Sequence, residues 1–402
     1  MFKGNRLIGG IFLVAGTTIG AGMLAIPVVT SFGGFFPSFA LLFFCWLFFF
    51  FTAWILLDVN LASPGDENLI SMVGRWLGPL GKAVCWVAYL LLLYSLTAAY
   101  IAGSSPLFLS AIQYITGWNL PSWAGPFPLL LLFGIFVYLG TRSVDRVNRL
   151  LMAVLVLSYV MLISFLPPHI QPSLLMHADF SAMWIAVPVL FTSYGFHIII
   201  PTLTSYLHRD VKKLRLTIFI GSLSAFLFYL IWEFLILGTV PLDGLAAAWT
   251  QGETGTFALR ALISSPWIGI SASFFTFFAI ITSFLGVSLS LSDFLADGLQ
   301  MKRYTWGREF ACLLTFFPPI LFVYTYPHGF ILALQYAGVF VAIVLCILPA
   351  LMAWKLPRYR SHFRRFLIIL VILVSLFAIF LGILEQTGRL KNLIQSYVQT
   401  ES

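Results

Sequence analysis

Two stretches of this chain gather residue types that can hold a small zwitterion without a charged side chain. They are VAGTTIGAGMLAIP, Val14–Pro27, and FTSYGFHIIIP, Phe191–Pro201. Each sets glycine, a hydroxyl residue and a proline into a run otherwise apolar enough to cross a membrane. Inside a helix, glycine costs about 1 kcal/mol and proline about 3 kcal/mol relative to alanine. The pattern therefore predicts helices that stop and restart, freeing backbone amides and carbonyls. Amides at the start of an outer half-helix, around Ala21 and Gly22, present the positive end of the helix dipole to a carboxylate. Carbonyls near Thr18, and from Phe191 in the second stretch, can accept from an ammonium group. Small residues matter because a larger side chain would fill the space that the ligand's own backbone needs. Thr17, Gly20, Ser193 and Gly195 join the same candidate site.

Gly16 and Gly20 also form a small-xxx-small pattern, which serves close helix packing. The second break lies 175 residues after the first, in the corresponding helix of a second five-helix set. Five is odd, so the second set enters the membrane from the opposite face. Paired breaks in two inverted halves point to a transporter site at the bilayer midplane, and favour unwinding over packing.

Few ionisable groups stand inside apolar runs, where each costs several kcal/mol unless paired. Glu233, in the seventh run, is a candidate proton carrier that can also face water toward the outer end. His197 follows the second break directly, and a ligand or proton role stands beside a packing role. Asp58 is expected at the inner boundary, and Asp293 and Asp297 to cap or to pair with Lys302 and Arg303. With 41 Phe, 15 Tyr and 12 Trp, aromatic abundance says nothing about a ligand. Tyr94, Tyr100, Tyr194 and Phe196 are better placed, because their helices surround the expected site. The sequence holds no HExxH motif, no Ser/His/Asp grouping and no phosphate-cradling loop, so it predicts neither an enzyme nor a metal centre. Cys45, Cys85, Cys312 and Cys346 fall within apolar runs and read as small hydrophobes.

The elements that must position these residues follow from composition. Only 9% of the 402 residues are charged and 60% are hydrophobic, against about 25% charged in a soluble domain. The chain is an all-α polytopic membrane protein. Apolar runs predict eleven transmembrane helices near 7–31, 35–58, 83–112, 126–140, 149–167, 180–205, 214–240, 266–295, 309–325, 329–354 and 365–385. The expectation is a single transmembrane domain over 1–402. It is built from a five-plus-five inverted repeat, 7–167 and 180–354, with discontinuous helices 1 and 6 and an extra helix 365–385. With the N-terminus in the cytoplasm and the C-terminus outside, all but Arg260, Arg389 and Lys391 of the 22 Lys and Arg face inward, as the positive-inside rule demands. The Lys3/Arg6 start is read as part of a retained span, not as a signal peptide. The net charge of +8 is then explained by topology and membrane lipid, without a nucleic-acid partner. A channel would need a ring of pore-lining carbonyls or charges, which this pattern does not offer.

The two broken stretches, with LTAAYIAG (Leu96–Gly103), PTLTSY (Pro201–Tyr206), TSFLGVSLSLSDFLAD (Thr282–Asp297) and PPILFVYTYPHGFILALQYAG (Pro318–Gly338), resemble the bacterial aromatic amino acid permeases over essentially the whole chain. The resemblance implies a LeuT-like fold of the wider amino acid transporter superfamily. It also implies a proton-linked symporter in the inner membrane that imports an aromatic amino acid, tyrosine first. Tryptophan or phenylalanine as substrate, and sodium as coupling ion, remain alternatives; no cofactor is implied and the oligomeric state stays open. In related inverted-repeat transporters a Thr-Ser pair of the eighth helix faces the first break and helps to hold sodium. Here that pair is Thr282 and Ser283, with carbonyls of Gly16, Ile19 and Ala279 as companions, although hydroxyls in mid-helix also bond back to their own preceding turn. The chain departs from the family pattern at Ile198–Ile200, where small residues are expected, and at Glu233, where a neutral amide is expected.

Overall fold

The computed structural model describes residues 6–65, 67–301 and 306–386. Among the described residues, ten helices are long and apolar enough to cross a membrane, and a bent pair makes the eleventh. That pair is α1 (Arg6–Thr18) and α2 (Ile26–Thr30), joined through a 3₁₀ turn at Ala21–Leu24 and bent by 48°. The chain then runs through α3 (Phe35–Ala62), α4 (Leu69–Thr116), α5 (Pro126–Leu139) and α6 (Thr141–Phe165). The sixth span is again broken: α7 (Val187–Ser193), a gap at 194–196, a 3₁₀ turn His197–Ile199, then α8 (Ile200–Tyr206). After it come α9 (Val211–Thr239), two short helices α10 (Leu242–Thr250) and α11 (Gly255–Leu262), α12 (Pro266–Gly298) and α13 (Gly307–Thr325). The tenth span is α14 (Phe330–Val341), a π-helical turn Ala342–Ile347 and α15 (Leu348–Trp354); α16 (His362–Gln386) is the eleventh.

Both breaks fall where glycine and hydroxyl residues interrupt the apolar runs. At the first, Gly20 takes an extended conformation (φ −153°, ψ −165°) between α1 and the 3₁₀ turn. At the second, α7 ends at Ser193, and the amides of Gly195 and Phe196 bond locally to the carbonyls of Thr192 and Tyr194.

The apolar runs located the spans but not their full lengths. The third helix starts at Leu69 rather than near 83, capped by the Asn68 side chain on the Ser71 amide (2.9 Å), and turns at Gly78. The fifth starts at Thr141 rather than 149; its first turns carry Arg142, Asp145, Arg146 and Arg149, and the Asp145–Arg149 pair (2.6 Å) extends it beyond the apolar core. α10 and α11 occupy a stretch read as loop, because their lengths are too short for a span.

Side contacts divide the ends of the spans into two faces. On the near face, where α1 begins, Arg209 donates to the Leu61 and Ser63 carbonyls at the end of α3 (2.6 and 3.1 Å). Asp58, expected at the inner boundary, lies on this same face and accepts from Arg358 (2.8 Å) and from the Tyr359 hydroxyl (2.9 Å). On the far face, His177 contacts the Phe32 carbonyl, and the Asp179 amide bonds the Gly33 carbonyl (2.8 Å). Lys302 and Arg303, the expected partners of Asp293 and Asp297, lie outside the described residues, as do Lys3, Arg389 and Lys391. In the interior, α1 and α3 pack along α9, α12 packs on α4 and α6, and α14 packs on α4 and α7.

Candidate functional site

The first and sixth breaks meet around one cavity of about 350 Å³. Gly16, Thr17, Thr18, Ile19, Gly20, Ala21 and Gly22 line it from the first span, and Ser193 and Gly195 from the sixth. Tyr100 of α4 and Thr282 and Ser283 of α12 complete the set of expected residues that it brings together.

Close backbone approach is visible at two glycines. A Cβ on Gly20 would stand 2.8 Å from the Ser283 Oγ, and one on Gly22 would stand 2.8 Å from the Ser193 Oγ. The Ala21 amide, expected to face a ligand carboxylate, instead donates to the Ser283 hydroxyl at 3.0 Å. Ser283 thereby ties the first break to α12. Its neighbour Thr282 bonds back to the carbonyls of Phe278 (2.7 Å) and Ala279 (3.3 Å). Ala279 is fully buried behind the cavity wall, so its carbonyl serves the helix rather than the cavity.

Five expected residues point elsewhere. Tyr94 turns its hydroxyl to the Leu314 carbonyl of α13 (3.0 Å). Phe191 packs against Phe48 and Phe49 of α3, with ring centroids 5.4 and 5.0 Å away. Tyr194 donates to the Leu42 carbonyl (3.3 Å), and Phe196 is fully buried against His197. His197 is itself fully buried, with Nε2 2.8 Å from the Thr52 hydroxyl. The second break directs Phe191, Tyr194 and His197 into the contact with α3, and leaves Thr192, Ser193 and Gly195 toward the cavity together with Ile198 and Ile199, two of the isoleucines that depart from the family pattern. Glu233 is also away from the cavity, buried beside Thr30 at the far end of the first span.

Residues that the sequence reading did not single out finish the walls. Leu92, Leu93 and Leu96 face in from α4, Met152 from α6, Val287 from α12 and Leu345 from the π-helical turn. Asn148 of α6 brings a side-chain amide to the wall, and its Oδ1 has no hydrogen-bond partner among the described residues. Tyr229 of α9 lies just behind the wall and donates toward the carbonyls of both breaks, Thr18 (2.6 Å) and Ser193 (2.8 Å). Nothing in the sequence marked Tyr229, because α9 is apolar around its whole circumference and shows no inward stripe.

Among the described residues, no acidic, basic or histidine side chain lines this cavity. Its electrostatics come from broken-helix backbone and hydroxyls, an arrangement suited to a ligand that brings two opposite charges of its own. Gly16, Thr17, Gly286 and Ser290 are exposed, whereas Met23 through Ser31 are buried without exception. The cavity is thus open toward the near face and closed toward the far face. On that closed far face, Glu253 sits between two smaller cavities of about 190 and 270 Å³. Burial lifts its carboxyl above the usual range, while His328 and Arg260 pull it back.

Eleven spans, two facing breaks and a cavity between them define a membrane transporter of the LeuT-like fold. The chain overlays the crystal structure of MhsT in complex with L-phenylalanine with a TM-score of 0.62, covering 94% of this chain and 98% of that one at 14% identity. A manganese transporter of Eremococcus coleocola gives 0.64, over 98% and 90%, also at 14% identity. The chain belongs to the tryptophan/tyrosine permease family, whose model matches residues 3–387. Among its relatives, Tyrosine-specific transport system 1 of Haemophilus influenzae is 33% identical over 89% of this chain and 90% of its own length. The Tryptophan-specific transport protein of the same organism is 31% identical over 96% of each. The protein is therefore a transport protein for aromatic amino acids and not an enzyme.

Proposed function

We propose that this permease imports tyrosine across the cytoplasmic membrane by alternating access, driven by the proton gradient, with its N-terminus in the cytoplasm and the cavity at the two breaks as its binding site. The observation that carries this reading is a cavity walled by broken backbone and apolar side chains, with no charged group among the described residues that line it. A neutral amino acid supplies both charges to the backbone. The ammonium goes to the remaining lone pairs of the Thr18 and Ser193 carbonyls. The carboxylate goes to the Gly22 end of the first break's turn, beside the Ala21 amide that Ser283 holds. Its ring then lies among Leu92, Leu93, Leu96 and Met152, with Tyr100 beside it; each good ring contact adds about 0.5–1.5 kcal/mol. A lysine or glutamate substrate would bury an unmatched charge in the same walls, at a cost of several kcal/mol.

Tyrosine is placed first because the tyrosine-specific relative is the more similar of the two described; tryptophan and phenylalanine follow. Thr282 and Ser283, with the carbonyls of Gly16 and Ile19, would hold a cation if sodium drives transport instead. The test is uptake of labelled tyrosine into proteoliposomes under an imposed proton gradient. Expected is saturable accumulation that an uncoupler collapses and that unlabelled tyrosine competes better than tryptophan or phenylalanine. No saturable uptake of any of the three would overturn the reading, and uptake that follows only a sodium gradient would overturn its proton part.

A further inference from the structure

We propose that Glu233 is a proton-binding site whose occupancy holds the far half of the first span closed. The inference deepens the transport reading, on which its link to uptake rests. Glu233 is fully buried in α9, and Oε1 is hydrogen-bonded to the hydroxyl of Thr30, the last residue of α2. Oε2 has no hydrogen-bond partner among the described residues.

The hydrogen bonds around this carboxyl favour its acid form. A threonine hydroxyl has one proton to donate, yet Thr30 Oγ1 stands against two acceptors, the Ile26 carbonyl at 2.7 Å and Glu233 Oε1. The Ser38 hydroxyl, also beside the carboxyl, has its single proton shared between the carbonyls of Gly34 (2.5 Å) and Thr30 (3.2 Å) and the carboxyl itself. Either hydroxyl can turn to an ionised Glu233 only by giving up its own-helix carbonyl, and neither brings a positive charge. If Glu233 is the acid, its O–H donates to Thr30, Thr30 donates to Ile26, and each donor has one acceptor. An ionised carboxylate here would instead be buried with a contested hydrogen bond and no cation, which proteins avoid strongly.

The surroundings offer no substitute charge among the described residues. Just after α7 stands the Tyr194 phenol, hydrogen-bonded to the Leu42 carbonyl, and on α9 itself the Tyr229 phenol, bonded toward the two breaks. The segment after α6 brings His169, which is exposed, and His177, engaged with the Phe32 carbonyl. α1 has only Arg6, at its opposite end, α3 has only Asp58, on the near face with Arg358, and α11 has Arg260, which is exposed. α2 contributes none.

The step is a simple proton exchange. A hydronium from water on the far side gives its proton to the carboxylate, leaving water and a carboxylic acid. That acid then joins Thr30 as α2 closes onto α9. Loss of the proton to far-side water leaves a buried anion and favours separation of α2. Closure therefore binds one proton, and the closed-to-open ratio falls about tenfold per pH unit once the open-state carboxyl is ionised.

Two measurements test this on the full-length protein in oriented liposomes. In the first, Ile26→Cys, fully buried on the far half, is labelled from the far side with an impermeant maleimide, alone and combined with Glu233→Gln. At each pH the ratio of the two labelling rates cancels the thiol's own ionisation. Expected is a ratio, the single variant over the double variant, that rises toward tenfold per pH unit on going alkaline. A ratio flat across the range overturns the proposal. In the second, exchange of labelled tyrosine at equal pH on both sides declines at alkaline pH in the native chain and stays level in Glu233→Gln. An unchanged decline in the variant overturns it as well. If no aromatic amino acid is transported, the substrate reading fails, while the labelling ratio still decides the proton site.

Discussion

At the scale of single residues, two hydroxyls hold the broken backbone in place, Tyr229 as donor and Ser283 as acceptor, and they divide the work. Tyr229 shares its one proton between a carbonyl of each break, so Tyr229→Phe removes that shared donor while keeping the ring's packing. Ser283 fixes the amide that follows Gly20. Thr282, next to it, spends its hydroxyl inside α12. Loss of one such hydrogen bond costs about 0.5–1.5 kcal/mol, or about 2–10-fold in an equilibrium. Ser283→Ala and Tyr229→Phe are each expected to lower tyrosine affinity by that factor, with Thr282→Ala near the native value. If ion occupancy uses the pair, Thr282→Ala also shifts the ion dependence of uptake, so a variant set measured at several ion concentrations separates anchoring from ion binding. Equal and large losses from both alanine variants at saturating ion would contradict the division. The sequence could show that hydroxyls stood at these positions; which acceptor each one faces depends on helix rotation, and rotation is hidden when a helix is apolar on all sides.

Among the elements, the two breaks were the most legible feature of the sequence, because glycine, serine, threonine and proline interrupt apolar runs for a reason of backbone energy. The outward course of Tyr194, Phe196 and His197 was not, since a break frees the chain to turn and the turn decides which side chains meet α3. What holds the second break from its other side is α14. Gly338 lets that helix lie so close to α7 that a Cβ would stand 2.0 Å from the Pro188 carbonyl oxygen. The Thr192 hydroxyl, just before the break, donates to the Leu334 carbonyl at 2.7 Å. The same helix leads into the π-helical turn that brings Leu345 to the cavity, and such turns occur often at functional sites. Gly338→Ala must push α14 and α7 apart, an overpacking that costs typically about 1–3 kcal/mol. The expected result is a protein that still inserts but melts several degrees lower and binds tyrosine weakly. Native melting with native affinity would show that α14 and α7 can part without disturbing the site.

For the whole molecule, the question is which face meets the cytoplasm. The near face carries nearly all the cationic side chains among the described residues, from Arg6 and Arg75 through Arg209 and Lys212 to Arg364 and Arg365. The far face has Arg260. Part of the near-face charge is built into the fold: Arg209 closes the end of α3, and Arg358 pairs with Asp58. Arg75 with Glu67 and Arg149 with Asp145 are also paired; side chains exposed at this face still meet anionic headgroups, worth about 1 kcal/mol for each Lys or Arg near the surface. Because this asymmetry survives the changes in helix boundaries, it argues for a cytoplasmic near face and for a cavity open to the cytoplasm. An odd number of spans among the described residues then leaves the end of α16 on the far face. In a bacterial host, alkaline phosphatase fused at the C-terminus should be active and a fluorescent protein fused there dark. The two reporters should exchange behaviour when fused after Tyr206, at the near-face end of α8. A bright C-terminal fluorescent fusion would reverse the orientation, placing the cavity mouth outside and Glu233 on the cytoplasmic side.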